Sequence, residues 1–333
     1  MVKHAATIAS ADDDAEAAWR FFLFNWIVIG ALAGVLGVGL LLTHFSIGPV
    51  GLLVAIGYVA LYAGFAHANA RSPVRRDPQV MFVLGASAQL ALATAVMTPL
   101  TYIGAAINFP MQDATLNAID RAMGLDWAAY LNFVDARPVL AEWLNYAYGM
   151  ISWPLFAIPV VLAATRRYRR IEEFTFAFVA ALAVTTLLSS LIPAIGTYHQ
   201  IGIDPGTLKH VDAGGYLIAP RDLPPTRDGA LRHLELLNLG GIVTFPSFHA
   251  ASAVLFAWAL WAVRWARPIG LLVNGAMLAA TPLSGGHYFI DVFAGVGIAV
   301  LAIVAARRIA QALARRAPLP ALGPALPAIV PAE

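Results

Sequence analysis

Cysteine is absent from the 333 residues, which excludes a disulfide framework, a thiolate metal site and a thiol nucleophile whichever compartment the chain faces. Charge is scarce: charged residues make up 12% of the chain against 60% hydrophobic residues, and the mean hydropathy is +0.73. One soluble core would not bury that much apolar surface, so an integral membrane protein is expected. No tandem repeat of solenoid period is present, and nothing in the composition points to a nucleic-acid partner. The net charge of +2 says little; where the charges sit says more.

Eight apolar runs are long enough to approach or cross a hydrocarbon core of about 30 Å: about 21–43, 48–66, 79–107, 139–164, 173–196, 244–263, 268–284 and 287–306. Asp12, Asp13, Asp14 and Glu16 precede the first run, which is longer than a signal-peptide core and lacks a small-residue cleavage site, so it reads as an uncleaved span. An even number of spans puts both termini on one side. Of the 21 Lys and Arg residues, Arg121, Arg137, Lys209, Arg221, Arg227 and Arg232 fall on one side and the other fifteen, including "RRYRR" at 166–170, on the opposite side. The positive-inside bias makes the richer side cytoplasmic. The short loops and the Ala- and Arg-rich composition suggest a bacterial inner membrane, with the other side facing the periplasm.

The expected fold is therefore all-α and polytopic. Residues 1–20 form a cytoplasmic tail, 21–70 two additional transmembrane helices, 71–310 a six-helix core, and 311–333 a cytoplasmic tail whose "APLPALGPALPAIVPAE" is proline-rich. Two outer segments interrupt the core. One, at 112–135, spaces Leu116, Ile119, Met123, Trp127 and Leu131 as an amphipathic helix lying in the interface. The other is a long loop at 197–243, rich in Pro, Gly and charge, of a length that is usually functional or mobile. The tryptophans at 153, 258, 261 and 265 read as belt or packing residues.

The same alternation brings "TFPSFHAASAVLF" at 244–256 and "SGGHYFID" at 284–291 to the non-cytoplasmic face. His287 and Asp291 are four positions apart, which on a helix places them on one face with Cβ atoms about 5–6 Å apart. A carboxylate there fixes the imidazole tautomer and leaves the other ring nitrogen free as base or nucleophile. An ionised Asp in a span costs about 2.5–3.5 kcal/mol unless paired or near the edge, so its presence suggests a task. His249 supplies a second imidazole, with an unperturbed pKa of about 6.5 suited to protonating a departing oxygen. Pro246 suits a first helical turn, and the N–H groups around Ser247 to Ala250, with the Ser247 hydroxyl, suit phosphate oxygens. Two plainer readings stand beside this one. His249 alone could be an interfacial capping residue, and two histidines with a carboxylate could form a facial metal triad.

"PSFH" at 246–249 followed by "HYFID" at 287–291 resembles the second and third motifs of the type 2 phosphatidic acid phosphatase superfamily, with the intervening two helices that family has. The resemblance implies a six-helix bundle and a phosphohistidine intermediate formed without metal or cofactor. It implies His287 as nucleophile, Asp291 as its orienter and His249 as general acid. Two departures separate the chain from phosphatase members. Thr281 stands where they carry an arginine six positions before the nucleophile, and their first motif, a lysine followed after six residues by Arg-Pro, has only a partial counterpart at Tyr130 to Arg137-Pro138; its expected location holds "PAIGTYHQ". The chain is more similar to the inositol phosphorylceramide synthase and sphingomyelin synthase branch, and "DATLNAIDRAMGLDW" is similar to inositolphosphotransferase-type members.

The implied function is transfer of a phospho-headgroup from a phospholipid donor to a lipid hydroxyl acceptor at the non-cytoplasmic face. A lipid phosphate or polyprenyl-diphosphate phosphatase, with water as acceptor, uses the same residues. A non-enzymatic lipid transporter or binding protein is the reading from a different class, and would spread polar residues through the middle of the spans. Charge on a transferred phosphoryl group needs donors around its oxygens. Ser247, Arg221, Arg227 and Lys209 are the candidates, with Arg137 and Arg232 behind them.

Overall fold

The computed structural model describes residues 2–72 and 77–315, with side chains from residue 15 onward. Arg75, Arg76, Arg316 and the proline-rich tail lie outside the described residues, and the side chains of Lys3, Asp12, Asp13 and Asp14 outside the described side chains. Helices dominate: α1 (Val2–Thr43), α2 (Pro49–Arg71), α3 (Pro78–Ala105), α4 (Asp113–Ala122), α5 (Trp127–Asp135), α6 (Pro138–Gly149), α7 (Pro154–Ala164) and α8 (Tyr168–Leu191). They continue as α9 (Thr197–Ile201), α10 (Ile218–Asp228), α11 (Phe248–Leu260), α12 (Arg267–Ser284) and α13 (Phe289–Ala314). The two-residue strands β1 (Ser46–Ile47) and β2 (His233–Leu234) pair in parallel and tie the α1–α2 turn to the long loop at 197–243.

Every apolar run of the sequence is occupied by helix, and the chain is an all-α polytopic membrane protein. Among the described residues five helices are long and apolar enough to cross a membrane: Ala15–Thr43, α2, α3, α8 and α13. The run at 139–164 is broken instead into α6 and α7, bent by 70°. A 3₁₀ turn over Met150–Ser152 followed by Pro154 accounts for the break, because proline has no N–H to donate and its ring clashes with the preceding turn. The run at 244–263 holds only the 13-residue α11, about 20 Å long at 1.5 Å per residue. It starts late because Ser247 caps it, and it stops at Leu260 before the 3₁₀ turn Arg264–Ala266 that leads into α12.

Helix α8 sits at the centre, packed by α1, α3, α11 and α13. Its Phe174 and Phe178 meet Phe256 of α11 with ring centroids 5.9 and 6.4 Å apart, and Phe178 meets Phe248 edge-on at 5.2 Å. Offset and edge contacts of this kind are the preferred aromatic geometries, and they fix the roll of α11. Helix α1 is locked on by polar contacts: Asn25 Nδ2 donates to Glu172 Oε2 at 2.9 Å, and Gln89 Nε2 donates to the Phe22 carbonyl at 2.9 Å.

The amphipathic segment forms two helices rather than one, because Gly124 ends α4 with φ of +75°, a conformation that costs glycine little. Leu116, Trp127 and Leu131 are buried as the apolar spacing requires, but Ile119 and Met123 face outward. Their place on the buried face of α4 is taken by Asp113 and Asp120. The loop at 197–243 is more ordered than its composition implies, with α9, α10 and β2 inside it. Helix α10 tolerates Pro224 and Pro225 because a tertiary contact holds it: the Tyr102 hydroxyl donates to Asp222 Oδ2 at 2.6 Å and also contacts the Gly240 carbonyl at 2.9 Å.

Candidate active site

His287 does not lie on a helix. It precedes α13, with Tyr288 as N-cap and Asp291 at the third helical position, so the spacing of four operates across a helix start rather than along a helix face. The Asp291 carboxylate turns back to accept the Tyr288 N–H at 2.9 Å, as a capping carboxylate does, and the same Oδ2 meets His287 Nδ1 at 3.3 Å. Both side chains are buried. With Nδ1 turned to the carboxylate, Nε2 is the nitrogen left for chemistry. The turn that aims the ring is "GG" at 285–286: Gly286 has φ of +63°, and its carbonyl accepts the Thr197 N–H at 2.9 Å.

Helix α4 clamps this turn. Asp120 accepts the N–H groups of Phe289 and Ile290, at 2.7 and 2.9 Å, supplying from outside the partners that the first turn of α13 lacks. Burial pushes the Asp120 carboxyl above its ordinary range, against the lowering by these two N–H donors. Asp113 accepts the Tyr288 hydroxyl at 2.9 Å and the N–H groups of Ile195 and Gly196 at 3.0 and 2.8 Å. Sequence reasoning missed both acids. Their seven-residue spacing around the buried Leu116 was the available signal.

Ser247 caps α11, its Oγ accepting the Ala250 N–H at 3.3 Å. Pro246, joined to Phe245 by a cis peptide, precedes that cap, which corrects its expected place in the first turn. The outward N–H set is also smaller than expected, because the Ser247 N–H is spent on the Asp291 carbonyl at 3.0 Å. That bond stitches the start of α11 to α13. Consecutive helical residues point about 100° apart, so with Phe248 anchored on Phe178, His249 turns toward α6. There its ring stacks on Tyr148, centroids 4.1 Å apart and planes at 7°. Tyr148, near Trp153, reads from sequence as one of the belt or packing tyrosines and not as a site residue.

A Cβ on Gly285 would stand 2.8 Å from the Tyr148 oxygen and 3.0 Å from His287 Nε2, so the ring that stacks on His249 also borders His287, and the two imidazoles share a site. The loop arginines Arg221 and Arg227 hold other partners. Arg221 forms a two-point pair with Asp222, Nε to Oδ1 at 2.6 Å and Nη2 to Oδ2 at 2.8 Å. The pair holds Asp222 below the usual carboxylate range and Arg221 above its own. Arg227 donates to the Phe109 carbonyl at 2.8 Å and lines a cavity of about 380 Å³ with Ile195 and Leu223. Lys209 is held through its backbone: with His210 and Val211 it donates N–H to Asp135. Thr281 is fully buried, and its hydroxyl donates to the Met277 carbonyl at 2.8 Å. Among the described residues no group of three or more His, Asp or Glu is arranged to hold a metal ion.

A family model described as the PAP2 superfamily matches residues 114–305, more than half of the chain and a span that includes α4 from its second residue, both histidines and Asp291. The chain belongs to the PAP2 superfamily. This is the type 2 phosphatidic acid phosphatase superfamily to which "PSFH" and "HYFID" pointed. Comparison with curated proteins and with solved structures found no match. Membership makes this protein, in general terms, a membrane enzyme of the lipid phosphatase and phosphotransferase type, acting on lipid phosphates.

Proposed function

We propose that this PAP2 protein transfers a phospho-headgroup from a phospholipid to a lipid hydroxyl through a covalent His287 intermediate, in the manner of the inositolphosphotransferase branch. The observation that carries the reading is the His287–Asp291 contact at 3.3 Å, with His249 brought alongside through Tyr148, which stacks on it and borders His287. His287 Nε2 attacks phosphorus, forming an N–P bond as the P–O bond to the leaving alkoxide breaks. His249 gives that alkoxide its proton. In the second half the acceptor hydroxyl attacks the phosphohistidine, His249 takes the hydroxyl proton, and His287 is released. No step calls for a metal or cofactor.

Thr281 favours transfer over hydrolysis within this reading. It stands where phosphatase members carry an arginine, and its hydroxyl is spent inside its own helix. Ser247, Arg221, Arg227 and Lys209 are assigned to the substrate phosphate, the three cations from the outer loop, so Arg221→Gln and Arg227→Gln are expected to raise KM. The site faces the non-cytoplasmic side, the periplasm of a bacterial inner membrane, with both termini cytoplasmic. Residues 21–70 are two helices added to a six-helix catalytic core.

The test is a panel of labelled phospholipids and lipid phosphates offered to purified protein in detergent with EDTA, with and without diacylglycerol or ceramide, beside His287→Ala. Acceptor-dependent headgroup transfer that disappears in the variant supports the transferase reading. Phosphate release without an acceptor replaces it with the phosphatase reading, including a polyprenyl-diphosphate phosphatase. Lipid binding with no turnover of the panel replaces both with a binding protein or transporter.

A further inference from the structure

Tyr148 comes from the end of α6, outside both sequence motifs, yet it is built into the site on two sides. Helix α6 packs against α12, which lays the Tyr148 ring flat on His249 at 4.1 Å. The hydroxyl end is bracketed by two glycines. A Cβ on Gly285 would stand 2.8 Å from the Tyr148 oxygen, 3.0 Å from His287 Nε2 and 2.6 Å from His287 Cδ2. The hydroxyl and the attacking nitrogen thus both lie within 3.0 Å of one point. On the other side a Cβ on Gly215 would overlap the Tyr148 oxygen and stand 2.6 Å from its Cε1. Only residues without side chains allow the ring this position.

The hydroxyl has no hydrogen-bond partner among the described residues, whereas the buried Tyr102 and Tyr288 hydroxyls are both spent on carboxylates. A phosphoryl group bound at His287 Nε2 gathers negative charge on its oxygens, and one preorganised donor aimed at such an oxygen is worth about 10²–10³-fold in kcat. We infer that Tyr148 is a catalytic residue, its hydroxyl donating a hydrogen bond to a phosphoryl oxygen while its ring face positions His249. The proton stays on the tyrosine. The inference rests on the phosphoryl-transfer reading above.

The test uses orthovanadate, which takes the five-coordinate geometry of the transferring phosphoryl group, as a competitor and direct ligand of the full-length protein in detergent. Wild type, His287→Ala, Tyr148→Phe and Tyr148→Leu are compared for vanadate affinity, turnover and melting temperature. Tyr148→Phe keeps the stack and removes only the hydroxyl. It is expected to weaken vanadate binding and lower kcat by about 10²-fold, the scale of one lost oxyanion donor, with KM for lipid within about twofold and melting unchanged. Tyr148→Leu, which also frees His249, is expected to lose more kcat than Tyr148→Phe. Gly215→Ala, which displaces the hydroxyl from the outer loop, is expected to resemble Tyr148→Phe. Loss of vanadate binding in His287→Ala but full binding and kcat in Tyr148→Phe overturns the role of the hydroxyl alone. Equal vanadate binding by wild type and His287→Ala, or binding by neither, overturns the phosphoryl-transfer reading and this inference with it.

Discussion

At Gly295, α13 passes tightly against the start of α11. A methyl group there would overlap the Ser247 carbonyl oxygen and lie 3.1 Å from Ala250 Cβ and 3.3 Å from Ala251 N, when non-bonded carbons sit comfortably at about 3.5–4.0 Å. The atoms it meets first are backbone, so no rotamer change relieves the clash. The helices must part, by on the order of 1 Å, and a misplacement of that size costs about 10²-fold in rate. Parting stretches the bond from the Ser247 N–H to the Asp291 carbonyl and carries His249, two residues further on, away from His287. Gly295→Ala is therefore expected to lower kcat by about 10²-fold, about 2.7 kcal/mol of barrier, with an overpacking cost of about 1–3 kcal/mol in stability. Gly297→Ala is the control, since a Cβ there meets nothing within 4 Å. Turnover of a labelled lipid phosphate and thermal unfolding in detergent read both quantities. Wild-type turnover by folded Gly295→Ala, or an equal loss in Gly297→Ala, would refute the claim that this crossing sets the distance between the histidines.

Asp120→Asn removes the charge and leaves one acceptor for two N–H groups at the start of α13; a loss of about 1 kcal/mol and faster amide exchange at 288–291 are expected. Arg221 holds the folded Asp222 below its ordinary range. That contribution is fully present above the ordinary carboxylate value of about 3.9 and is lost as pH falls through the lower folded value. Amide exchange over 218–240 should accordingly rise in acid, and Asp222→Asn should show the fast exchange already at neutral pH. Asn25→Leu strips the buried Glu172 of its side-chain partner and is expected to cost about 1–3 kcal/mol. The double change Asn25→Leu with Glu172→Met should recover most of it in thermal unfolding, as apolar replacement of a complete buried polar pair does.

Much of the site was legible because it is local. "PSFH" and "HYFID" carry their own cap chemistry, and the two helices between them are visible as apolar runs. The long-range parts were not. Tyr148 reaches His249 only through the packing of α6 on α12, which no periodicity encodes. Asp113 and Asp120 looked like the wet face of an interfacial helix, whereas they are buried against the backbone of Ile195, Gly196, Phe289 and Ile290. Glu172 fell one residue outside the span read at 173–196, so the polar lock on α1 went unseen. Hydropathy also passes over breaks: the bend between α6 and α7 and the short reach of α11 follow from Pro154 and from the Ser247 cap, which an averaged window smooths away. The prolines of α10 argued for a loop because the Tyr102–Asp222 contact that holds it comes from the distant α3.

The most direct measurement is to quench the enzyme in denaturant during turnover of a phosphorus-labelled lipid, with EDTA present, and locate the label by peptide mapping. A base-stable, acid-labile adduct on His287, absent from His287→Ala and chased by added lipid acceptor, is the expected result. Label on another residue, or undiminished turnover by His287→Ala, would contradict the assignment of His287 as the nucleophile.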